Sequence, residues 1–136
     1  MGIVKSAKQR FESSLFDIKQ VLQADLFDNE LDAAMELNKQ GFARGAGAMA
    51  GVVLEGHLKQ VCQNHNLTIQ KKKSPMINDL NQLLKDSNVI DTAEWRRIQR
   101  LGDLRNKCDH SQKIDPTKEE VAELIEEVDK TIKTLF

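Results

Sequence analysis

The segment Leu104-Arg105-Asn106-Lys107-Cys108-Asp109-His110 gathers the most chemically capable side chains of the sequence into one stretch. Histidine gains and loses a proton near neutral pH, and arginine holds an anion through a planar fork of donors. With the amide of Asn106, these are the types needed to grip a phosphate and move a proton beside it. On a helix begun near Asp91 and wound at about 100° per residue from Trp95, Ile98, Leu101, Leu104 and Cys108 fall at about 300°, 240°, 180° and 220°. That arc reads as buried, yet Arg105 falls inside it at about 280° and Arg97 at about 200°. A guanidinium there is costly unless it is paired or meets a partner. Arg97 lies near the helix start and can reach past the edge of the core, so Arg105 is the stronger anomaly. On a straight helix His110 lies about 140° from Arg105, so the two share a ligand only if the helix ends near Asp109 and the chain turns back. The polar run His110-Ser111-Gln112-Lys113 favours such an ending. Asp109 follows Arg105 at the spacing of a helical salt bridge, so a structural pair with an incidental surface histidine is the competing explanation.

The elements that must position this segment are helices. Apolar residues recur at helical spacing almost throughout, no alternating strand pattern appears, and only two prolines interrupt the chain. Phe11, Leu15, Ile18 and Leu22 form one stripe and predict a first helix from about Lys5 to Ala24. Leu31, Ala34 and Met35 predict a second over about Asn29 to Lys39, and Gly41 either breaks or bends the chain after it. Val53, Leu54, Leu58, Val61 and Cys62 line a long run from about Phe42 to Asn64. Ser74-Pro75 reads as an N-cap followed by proline at the first helical position, ahead of Ile77, Leu80, Leu83 and Leu84. Asp91 and Glu94 form the acidic analogue of a capping box and open the helix that carries Arg105. Asp115-Pro116 opens the last, with Val121, Leu124, Ile125, Val128, Ile132 and Leu135 as its stripe. The expected architecture is all-α: an up-and-down bundle of four or five helices forming a single domain over residues 1–136.

In that setting, Arg105-Asn106-x-x-x-His110 resembles the Arg-polar-x-x-x-His motif of HEPN domains, the nucleotide-binding helical bundles of higher eukaryotes and prokaryotes found in toxins, phage-defence proteins and RNA-processing enzymes. The motif follows Ile98-Gln99-Arg100-Leu101-Gly102-Asp103-Leu104 near the end of the penultimate long helix and precedes a final amphipathic helix. Ala50-Gly51-Val52-Val53-Leu54-Glu55-Gly56-His57-Leu58 resembles the small-then-aliphatic helix of bacterial standalone members. The likeness covers about Phe42 to Phe136. It implies a metal-independent endoribonuclease acting as a homodimer whose two motifs line one cleft, with no cofactor. His110 is then the general base on the ribose 2′-hydroxyl or the acid to the leaving 5′-oxygen, and Arg105 neutralises the scissile phosphate. Asn106 orients the phosphate or the imidazole, and Arg96, Arg100 and Lys107 guide the RNA backbone. The products are a 2′,3′-cyclic phosphate and a 5′-hydroxyl. A toxin or phage-defence setting implies an antitoxin or nucleotidyltransferase-type partner. The tyrosine that some HEPN toxins carry two residues after the histidine is Gln112 here, and the chain has 0 Tyr, so regulation by tyrosine nucleotidylation is not available. Many active members place an aliphatic residue just before the histidine, where this chain has Asp109. The family also contains non-catalytic dimerisation or nucleotide-binding modules, the alternative function. A helical interaction protein unrelated to the family is the third.

Composition narrows the field little. The formal net charge is −1, with 20 basic and 21 acidic residues, which argues against nucleic-acid binding by bulk charge but leaves room for a local basic patch. No apolar run approaches the ~20 residues of a membrane span, and the first residues do not read as a secretion signal. Two cysteines fit a reducing compartment, so the expected location is the cytoplasm. Gly45-Ala46-Gly47 lacks the preceding strand a dinucleotide-binding turn requires, whereas Gly47 and Gly51 at i,i+4 let another helix approach, within the bundle or across a dimer. His57, Cys62, His65 and Cys108 show no zinc spacing, no metal is expected, and the cysteines read as small buried hydrophobes. Lys71-Lys72-Lys73 reads as a solvated loop, with RNA contact the lesser reading.

Overall fold

The computed structural model describes residues 7–70, 76–109 and 113–136, and these form five helices and no strand. They are α1 (Ala7–Lys39), α2 (Ala43–Asn64), α3 (Ile77–Asp86), α4 (Thr92–Lys107) and α5 (Lys118–Thr134). The all-α bundle expected from the periodicity is present. The Ser74-Pro75 cap, the Lys71–Lys73 run and His110 lie outside the described residues.

Helix α2 packs against all four others, and its composition explains how. Ala46, Gly47, Ala50 and Gly51 keep one part of its surface narrow, while Val53, Leu54, Leu58, Val61 and Cys62 fill the core further along. Leu80 and Leu84 of α3, Ile98, Leu101 and Leu104 of α4, and Val121, Leu124 and Val128 of α5 close around it. Each such side chain contributes roughly 1.5–3 kcal/mol by leaving water. The thiols of Cys62 and Cys108 are buried and free, and burial pushes the pKa of both upward.

The helix ends have local causes. Gly41 adopts φ 94° after α1, with Phe42 N donating to Leu37 O and Gly41 N to Asn38 O, the paired bonds of a Schellman stop. Gly41 therefore breaks the chain. Asn66 and Asn88, at φ 57° and 59°, end α2 and α3 with the same bond pattern. Asp91 caps α4, its Oδ1 accepting from Glu94 N at 2.8 Å. The last helix starts later than Asp115-Pro116 would place it: Thr117 is the N-cap and forms a reciprocal capping box with Glu120. Asp115 is engaged elsewhere.

Two expectations about the N-terminal region need correction. The helices expected over Lys5–Ala24 and Asn29–Lys39 are one continuous element, because Asp25-Leu26-Phe27-Asp28 contains no residue that interrupts a helix. The stripe Phe11, Leu15, Ile18 and Leu22 does not enter the core. All four are exposed, and α1 instead buries Phe27, Leu31, Ala34 and Asn38.

Among the described residues, His57 is the one histidine held inside the bundle. Its Nε2 lies 2.7 Å from Leu135 O and its ring packs edge-on to Phe27. Burial lowers its pKa from the ordinary 6.5, so the folded state holds it neutral with Nε2–H as donor. The unfolded chain binds this proton more readily. Stability is therefore full above pH 6.5 and falls as pH drops through 6.5 towards the lower folded value. Denaturant midpoints measured between pH 7.5 and pH 5 should decline with acid, and His57→Gln should flatten that decline. A midpoint independent of pH over this range would contradict the assignment.

Candidate functional site

Arg105 sits on the last turn of α4, where it crosses α2. Its side chain lies across Gly51 so closely that a Cβ built there would stand 2.4 Å from Arg105 Cγ. One turn earlier on α2, a Cβ on Gly47 would stand 2.2 Å from Cys108 Sγ. The two glycines thus serve contact within the bundle, one admitting Arg105 of α4 and the other its C-cap residue Cys108. That crossing supports the arginine stem along α2 and leaves the guanidinium half-buried.

A groove of about 600 Å³ opens here between α2, α3 and α4. Arg105 and Asn106 line it together with Asn78, Asp79, Glu55 and Asp109. Asn78 Oδ1 reaches over Gly102, 2.7 Å from where a Cβ would stand, so Gly102 keeps the wall between α3 and α4 thin. The described lining residues include one guanidinium and three carboxylates. Arg105 nevertheless forms no ion pair among those of the described residues, so the expected Arg105–Asp109 alternative is not formed. The Asp79 carboxylate is used locally, accepting from Met76 N at 3.0 Å at the start of α3.

The other basic residues of α4 are arranged differently. Arg97 donates to Glu94, Glu127 and Thr131, which satisfies the cation that the helical wheel put inside the core arc and raises its pKa. Arg100 pairs with Glu123 at 2.9 Å and Lys107 with Glu120 at 2.5 Å, both clasping α4 to α5. Arg96 is exposed. None of Arg96, Arg100 and Lys107 lines the groove of Arg105 and Asn106. His65 Nε2 lies 2.8 Å from Phe136 O, so His57 and His65 both hold the C-terminal residues. Among the described residues, no group of three His, Cys, Asp or Glu is placed to hold a metal ion.

Arg44 is the residue that sequence reasoning passed over. From the first turn of α2 it donates through Nε to Asp115 Oδ1 at 2.8 Å, to Asp109 O, and through Nη2 to Ile114 O at 3.2 Å. It therefore grips both sides of the connection between α4 and α5, the stretch that contains His110. A cation in the first turn of a helix opposes the macrodipole, and that misfit in an Ala- and Gly-rich run was the available signal. Arg44→Ala should speed amide hydrogen exchange at Cys108, Asp109 and residues 113–117. Its cost to global stability should stay under about 1 kcal/mol, because the Asp115 partner is exposed. Unchanged exchange in that connection would remove Arg44 from this role.

No family profile, curated protein or solved structure matches this chain. Among the described residues, no helix is long and apolar enough to cross a membrane.

Proposed function

We propose that the chain is a metal-independent endoribonuclease of the HEPN type. The observation that carries this reading is Arg105: a half-buried arginine in no ion pair with the described residues, supported along Gly51 and lining a groove beside Asn106. A cation kept in that state is suited to an anion that arrives from outside, and a phosphodiester fits its fork of donors. His110 takes the proton from a ribose 2′-hydroxyl. The 2′-oxygen then bonds to phosphorus as the bond to the 5′-oxygen breaks, and that oxygen leaves with a proton taken from water or from the imidazolium of the second motif in the cleft. Arg105 offsets the charge gathering on the phosphoryl oxygens, and Asn106 orients them. The expected active form is a homodimer that brings two such motifs to one cleft, in a cytoplasmic toxin or phage-defence setting with an antitoxin or nucleotidyltransferase-type partner. Arg96 is available to guide the RNA backbone, whereas Arg100 and Lys107 would first exchange their glutamate partners.

One observation favours the second reading, a non-catalytic HEPN dimerisation or nucleotide-binding module. Glu55, Asp79 and Asp109 give the groove a negative lining that disfavours a polyanion. The nature of the RNA ends separates the two. Cleavage yielding 2′,3′-cyclic phosphate and 5′-hydroxyl termini, and blocked by a single 2′-deoxy residue at the scissile position, supports the nuclease. Nucleotide binding without any RNA cleavage supports the module.

A further inference from the structure

Helix α1 carries two apolar stripes on opposite faces. Gln20, Phe27, Leu31, Ala34 and Asn38 lie within about 60° of one another at 100° per residue and face the bundle. Phe11, Leu15, Ile18 and Leu22 centre about 160° away. Their exposures are 68%, 43%, 55% and 61%, although a stripe of this kind normally seeks cover. Gln20 donates to Asn64 at the C-terminal end of α2 at 3.2 Å, and every described side chain from residue 7 to 19 is exposed. The helix thus runs on past the bundle, at the end away from Arg105, with an apolar seam along its outer side.

The seam has coiled-coil spacing: 11, 15, 18 and 22 are separated by four, three and four residues, which makes Phe11 and Ile18 d positions and Leu15 and Leu22 a positions. We infer that the outer face of α1 pairs antiparallel with α1 of a second copy of this chain. In an antiparallel pair each a layer faces a d layer. Leu15 then meets Ile18 of the second copy, and Leu22 meets its Phe11, each twice by two-fold symmetry. Extending the same register by one layer at each end sets Lys8 against Asp25 of the second copy. At the flanking e positions it brings Glu12 beside Lys19. Both contacts are opposite in sign and each occurs twice. A parallel pair would instead set Lys8 against Lys8 and Asp25 against Asp25. The charges therefore choose both the occupant and its direction. The paired stretch, Lys8 to Asp25, spans about 27 Å, which fits a modest, reversible dimer.

This pairing lies at the opposite end of the bundle from the Arg105 groove and does not depend on the nuclease reading. Sedimentation of the full chain from about 1 to 200 μM tests it. The weight-average mass should rise with concentration to at least twice that of the Ile18→Lys protein, whether the unit that pairs through α1 is a single chain or a dimer joined at the Arg105 groove. Ile18→Lys, on an exposed position, should weaken association at least tenfold with unchanged helix content. Lys8→Asp alone and Asp25→Lys alone should each weaken it, and the double variant K8D/D25K should restore it. A monomer at all concentrations overturns the inference. So does a dimer indifferent to Ile18→Lys, or singles without effect. Binding of α1 to anionic vesicles, lost in Ile18→Lys while the protein stays monomeric, would assign the seam to a membrane surface and overturn it too.

Discussion

Replacing Gly47 with valine is expected to destabilise the protein by about 3 kcal/mol, near the upper end of core overpacking. The position has no slack: a Cβ would stand 2.2 Å from Cys108 Sγ, 3.1 Å from Cys108 Cβ and 3.6 Å from Val121 Cγ2. Cys108 closes α4 and is itself buried, so it cannot swing into solvent, and α4 must be pushed away from α2. For a chain of this size the midpoint of thermal unfolding should fall by roughly 10 °C. Gly47→Val with Cys108→Ala should recover part of that loss by removing the sulfur. A Gly47→Val protein as stable as the parent would mean that α2 and α4 do not meet as described.

The second large effect concerns activity without stability. Arg105→Ala should lower RNA cleavage by about 10²–10³-fold, the usual range for removing one donor aimed at developing charge. Arg105→Lys should recover little, since a point charge lacks the fork geometry. Folding should be nearly unaffected, because Arg105 is in no ion pair of the described residues. Gly51→Ala supplies an independent check: its Cβ would stand within 3.0 Å of Arg105 Cγ, Nε and Cδ, displacing the guanidinium without altering its chemistry. Cleavage should drop about tenfold, as expected for a small misplacement. Equal cleavage by the parent, Arg105→Ala and Gly51→Ala would exclude Arg105 from the reaction.

Much of this molecule was legible in the order of its residues, and the misses have physical reasons. The stripes of α2, α3 and α5 mark their buried faces because each helix has one apolar side, which periodicity reports directly. The outer stripe of α1 misled because periodicity shows that a face is apolar without showing what covers it. Arg97 and Arg105 looked alike on a helical wheel. Their difference arises from α5, which supplies Glu127 and Thr131 to one and nothing to the other. The Gly47/Gly51 pair announced a close helix, and only the fold reveals that it is α4, at Cys108 and Arg105. Arg44 was hardest to see: its partners lie 65 to 71 residues away, beyond the reach of any local pattern.

The central claim is tested most directly by incubating the purified chain with RNA in EDTA, beside Arg105→Ala and His110→Ala proteins matched for helix content and thermal midpoint. Cleavage by the parent, lost in both variants and yielding cyclic-phosphate ends, is the predicted result. Intact RNA with the parent, or cleavage that persists in both variants, would contradict it.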